Sequence, residues 1–81
     1  MTQTRSTRVD VRNPVLGLPN VDRIKDIDPT ARQLLADILG EIAKDARERA
    51  QESWRKNKAP MAAYWKGVST YAGHIKRAVR P

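Results

Sequence analysis

Seven cationic side chains, Arg55, Lys56, Lys58, Lys66, Lys76, Arg77 and Arg80, follow Glu52 with no carboxylate side chain among them. All four aromatic residues, Trp54, Tyr64, Trp65 and Tyr71, fall in the same stretch. Lys and Arg meet phosphate oxygens and flat rings stack on bases, so this pairing suits a phosphate-bearing partner. Acidic residues occur only up to Glu52, and the formal excess of +7 therefore resides in the C-terminal third. The predicted phosphate contacts are Arg55, Lys56, Lys58, Lys66, Arg77 and Arg80, with Trp54 and Tyr64 as the rings for stacking. Trp65 falls on a helical seam and reads as core; rings at seam positions also suit packing, and the pattern leaves both uses open.

Other constellations point away from catalysis. Asp37, Glu41, Asp45, Glu48 and Glu52 recur at helical spacing and share one face. Lys44, Arg47, Arg49 and Lys56 lie within ion-pairing reach of them, so a solvated, salt-bridged face is expected and no metal is assigned. His74 is the single histidine and there is no cysteine. One chain therefore cannot assemble a histidine triad, a thiolate zinc site or a cysteine nucleophile. His74 is expected to have a structural or phosphate-contacting role. Gly67 and Gly73 lie six apart in a helical pattern and form no phosphate loop. With Ala63 and Ser69 they suit close approach of another helix. The expected protein is not an enzyme and uses no cofactor.

These residues must be positioned by helices. Asp28-Pro29 reads as an N-cap followed by proline at the first helical position. Ala31, Leu34, Leu35, Ile38, Leu39, Ile42, Ala46 and Ala50 then recur as one apolar stripe, predicting a buried face on a helix that runs to about Lys56. Asn57-Lys58-Ala59-Pro60 ends that helix and opens the next, which is predicted from about Pro60 to Val79. Along it Met61, Trp65, Val68, Ala72, Ile75 and Val79 form an a/d seam. Tyr64, Val68, Tyr71, Ile75 and Ala78 form a second seam beside the first. Upstream, Pro14, Gly17 and Pro19 interrupt an apolar stretch, and one or two helical turns are predicted from Asn20 to Asp26 with Asn20 as N-cap. Residues 1–13 are polar and carry Arg5, Arg8 and Arg12, which predicts a flexible basic arm ahead of a helical domain over 14–81.

Eighty-one residues make at most one domain, and a chain this short buries only roughly 60–65% of its unfolded surface. The short link makes an antiparallel helical hairpin the expected all-α fold. Its doubled seam is wider than one partner helix can cover, so a homo-oligomeric bundle is expected. No apolar run approaches the roughly 20 residues of a bilayer span and no signal-peptide core follows the polar start. A cytoplasmic protein without a membrane partner is expected.

The terminal Lys76-Arg77-Ala78-Val79-Arg80-Pro81, with the small size and hairpin pattern, resembles small helical phage proteins that counter bacterial immunity by sequestering cyclic nucleotides. The resemblance covers those six residues, and it implies helical protomers assembled into oligomers with nucleotide pockets at subunit junctions. The residues thus predict a non-enzymatic binding protein for a phosphate-bearing polyanion, nucleic acid first. The alternative is a phage or mobile-element anti-defence protein, either a nucleotide sponge or an inhibitor docking on an acidic protein surface.

Overall fold

The computed structural model describes residues 12–81. Most of the arm expected over 1–13 lies outside the described residues. Two long helices, α1 (Pro29–Arg55) and α2 (Ala59–Val79), form an antiparallel hairpin, and two short 3-10 helices, Pro14–Gly17 and Pro19–Asp26, precede it. Among the described residues there is no strand. The result is a single layer, 17 Å in its thinnest direction.

Each helix end has a local cause. The Asp28 carboxylate accepts a hydrogen bond from the Ala31 N–H at 3.2 Å, and Pro29 occupies the first turn, where a missing N–H costs nothing. At the other end of α1, Asn57 adopts φ 59, a left-handed conformation that asparagine tolerates better than most residues. The Lys58 N–H then donates to Ser53 O at 2.8 Å and the Asn57 N–H to Trp54 O at 3.0 Å. These two bonds are the 6→1 and 5→2 pair of a Schellman motif, which turns the chain sharply into α2. Upstream, the second 3-10 helix begins at Pro19 after Leu18, with no side-chain cap. The cap expected at Asn20 is corrected: Pro19 already presets the helical φ one residue earlier.

The interface between α1 and α2 shares Ala46, Ala72 and Val79 with the predicted stripe and a/d seam and departs from them elsewhere. Its buried residues are Ala36, Ala43 and Ala46 on α1 and Ala62, Ala72 and Val79 on α2. Of the stripe predicted on α1, only Ala46 is buried, while Leu34, Leu35, Ile38 and Ile42 are exposed. On α2, Met61 and Ile75 are exposed and Trp65 and Val68 half-buried. Small side chains let helix axes approach closely, and a leucine or isoleucine between the axes would force them apart. The bulky residues therefore stand beside the seam rather than in it. At Gly40 an added Cβ would stand 2.9 Å from Lys76 Nζ, so the lysine stem crosses α1 where side chain is absent.

The open end of the hairpin is held by a clasp. Arg32 Nε donates to Val79 O at 2.8 Å and its Nη2 to Arg80 O at 3.0 Å. A guanidinium here meets orphan carbonyls at the negative end of α2. The buried Asn13 donates its Nδ2 to His74 O at 2.9 Å, docking the N-terminal segment on α2. Val15, Leu16, Val21 and Ile24 of the 3-10 helices are half-buried.

Two outcomes check this account. Ala36→Leu should destabilise the fold by about 1–3 kcal/mol in urea melts although it adds apolar surface, because Ala36 is 0% exposed and the site has no room. Arg32→Ala should cost about 1–3 kcal/mol through its two charge-assisted bonds, with Arg32→Lys restoring only part of the loss.

Candidate nucleic-acid interface

Helical periodicity divides each helix into two stripes. On α1, Arg47, Gln51 and Trp54 recur at steps of four and three and share one side. On α2, Ala59, Ala63, Lys66, Thr70, Gly73 and Arg77 do the same. These stripes meet on one face of the hairpin in an open groove of about 1030 Å³.

The groove has a floor of small residues, Ala50, Ala59, Ala62, Ala63 and Gly73, and a rim of functional ones. Arg47 and Arg55 rise from α1, and Lys66 and Arg77 from α2. Ser69, Thr70, His74 and Gln51 add hydrogen-bonding groups, and Trp54 closes the tip. Among the described residues no aspartate or glutamate lines it. Trp54 is 68% exposed and also borders a smaller recess with Asn57 and Ala59, so its ring is open to a planar ligand. The N-terminus of α2 opens at this same tip, where Lys58 makes no side-chain cap and no acidic residue sits in the first turn. Its partial positive charge adds to that of Arg55.

Carboxylates are engaged elsewhere. Asp45 pairs with Arg49 at 3.3 Å, and Glu52 takes both Arg55 and, at 3.2 Å, Lys56. Asp37 accepts from Gln33 Nε2 at 2.9 Å. These are exposed pairs of small individual worth. They do fix where charge is cancelled: on the flank of α1, and at Arg55 only in part. Among the described residues no group of three or more histidine or carboxylate side chains gathers in metal-binding geometry.

Of the residues expected to contact ligand, Trp54, Arg55, Lys66 and Arg77 line the groove together. Lys56, Lys58, Tyr64 and Arg80 do not. Lys56 is paired with Glu52. Lys58 sits in the turn, with its backbone bound to Ser53. Tyr64 packs its edge against Trp65, ring centroids 5.1 Å apart, on the stripe that faces away from the groove. Arg80 lies past the end of α2, its carbonyl held by Arg32. Lys76, also in the basic tail, is committed to Gly40.

Sequence reasoning passed over Arg47, which belongs to the carboxylate-rich helix and was expected to pair there. Its spacing of seven from Trp54 was the available signal. Gly73 likewise has a different use from the close helix contact expected: a Cβ there would meet nothing within 4 Å, so the missing side chain widens the groove. His74, beside it, sets its ring edgewise to Tyr71 at 6.2 Å between centroids.

No family model matches this chain, and no curated protein or solved structure is significantly similar to it. No helix among the described residues is long and apolar enough to cross a membrane.

Gly73→Ala should raise stability by about 0.5–1 kcal/mol, the helix-propensity gain of alanine over glycine, because the site is open space. Thermal melts followed by circular dichroism read this directly, and a lowered melting temperature would mean that the space is occupied.

Proposed function

We propose that this chain is a non-enzymatic binding protein whose groove takes a phosphate-bearing polyanion, nucleic acid first. The observation that carries this reading is the convergence of Arg47, Arg55, Lys66 and Arg77 on one groove that no carboxylate of the described residues lines. Arg55 is offset in part by Glu52; cations held together with so little counter-charge repel one another and gather counterions, and a polyanion releases those ions and relieves the repulsion. The guanidinium forks of the arginines bond phosphate oxygens in pairs, and Lys66 acts as a point charge. The Ser69 and Thr70 hydroxyls and the His74 ring supply further donors.

Base recognition falls to Trp54. Stacking on an exposed indole is tolerant of sequence because every base has a π face. A groove between two close-packed helices is shallow, so a single strand, with its bases splayed, suits it better than a rigid duplex. The aliphatic floor accommodates sugar and base edges without demanding hydrogen bonds.

A fluorescent oligothymidylate about 15 nucleotides long tests the reading by anisotropy. Its log affinity should fall with log salt at a slope near −3, about 0.7 for each phosphate met by the four groove cations. Lys66→Glu with Arg77→Glu should abolish binding. Arg23→Glu with Lys25→Glu, an equal charge change on the second 3-10 helix, should weaken it only slightly. Trp54→Ala should cost about 1–3 kcal/mol of affinity. Equal losses for both charge-reversed pairs would reduce the groove to general electrostatics, and no binding at physiological salt would overturn the reading. A cyclic nucleotide that competes as well as the oligonucleotide would favour the sponge of the alternative.

A further inference from the structure

The face opposite the groove is apolar and uncovered. Leu35, Ile38 and Ile42 on α1 and Met61, Tyr71 and Ile75 on α2 are each 40–63% exposed, and none lines the groove. One contact across the helices shows that the two sets share a side. The Arg49 guanidinium, seven residues on from Ile42, lies 5.3 Å from the Trp65 ring centroid, and Trp65 follows Met61 by four.

The extent and charge of this face identify its occupant. With Leu34 and Tyr64 at its margins it presents eight large side chains, each 40–63% exposed, an extent on the order of the ~800 Å² each partner gives a standard interface. Two copies each carrying +7 repel, and the groove face is where their cations would collide. On the apolar face the charges of Asp45 and Arg49 are already joined at 3.3 Å. Like-charged copies can therefore meet there and nowhere else on the slab so cheaply.

Among the described residues the largest fully buried side chain is Val79, and the sequence has no cysteine to staple the hairpin. A core this slight gains from association, and oligomerisation is one of the routes by which chains of this length reach stability.

We infer that two copies pair through this apolar face about a two-fold axis, forming a four-helix bundle with a groove on each outer side. The Ile and Leu residues of α1 and the Met, Tyr and Ile residues of α2 become the bundle core. A two-fold interface uses the same patch on both partners, and antiparallel hairpins stacked in this way give the knobs-into-holes packing of helical bundles. The pairing stands whether or not the groove binds nucleic acid.

Sedimentation equilibrium of the full chain decides this. At about 10 µM the wild type should have twice the 9.2 kDa mass of the chain, and its melting temperature should rise with concentration. Ile42→Glu should abolish pairing. Should that variant fail to fold, Ile42→Ala, which removes area without adding charge, should weaken dimerisation about tenfold or more. Lys66→Glu with Arg77→Glu should leave the dimer intact. A wild-type monomer at about 100 µM with a concentration-independent melt overturns the inference, as does a trimer or larger ring. A dimer indifferent to Ile42→Ala but split by the groove pair places the interface on the other face and overturns it too.

Discussion

Close approach of α1 and α2 through alanine is the constraint on which the rest of the molecule depends. Ala36, Ala43 and Ala46 on one helix and Ala62 and Ala72 on the other are buried, and small side chains let helix axes approach closely. Most of the large side chains, Leu34, Leu35, Ile38, Ile42, Met61 and Ile75 among them, are left exposed beside the seam. A hairpin packed through leucine would bury its bulk between the helices and present two ordinary polar faces. This one buries its small residues and leaves two specialised faces outside. The groove floor is the same economy seen from the front: Ala50, Ala59, Ala63 and Gly73 are depressed because they have almost no side chain to raise.

Charge follows the same division. The acidic residues of α1 lie on its outer flank, where Asp45 pairs with Arg49, Glu52 with Arg55 and Lys56, and Asp37 accepts from Gln33. Arg47 projects a third of a turn away from that row and escapes it. Lys66 and Arg77 lie on a helix with no acidic residue at all. Among the described residues Arg47, Lys66 and Arg77 are thus left without a carboxylate partner, while Arg55 shares Glu52, and a low-dielectric floor beneath them strengthens their field.

Both ends of the hairpin are fastened by backbone carbonyls that a helix would otherwise leave unbonded. At the tip, the Asn57 turn uses the carbonyls of Ser53 and Trp54; at the open end, Arg32 takes those of Val79 and Arg80. Fixing both ends sets the register of one helix against the other. It thereby sets which residues of α1 stand opposite Lys66 and Arg77. A groove built on two helices held in register has a preorganised backbone, though its exposed rim side chains keep their rotamer freedom. The Asn13 bond to His74 O holds the N-terminal segment on α2 beside the same face.

Much of the fold was legible in the chain because helix boundaries are local events. Asp28-Pro29 and Asn57 through Pro60 carry their capping chemistry in adjacent residues, so both helices and the hairpin between them follow from short-range signals. The clustering of cations and rings after Glu52 was equally plain, and Trp54, Arg55, Lys66 and Arg77 could be named from it. Which side of each helix faces its partner is another matter. Periodicity finds an apolar stripe, and the stripe of Leu and Ile outweighs one of Ala on any hydrophobicity measure. Only the tertiary structure decided that the alanines pack, since close approach rewards small volume as well as low polarity. That rotation moved Tyr64 away from the groove and brought Arg47 and His74 into it, because turning a helix about its axis reassigns every residue on it at once.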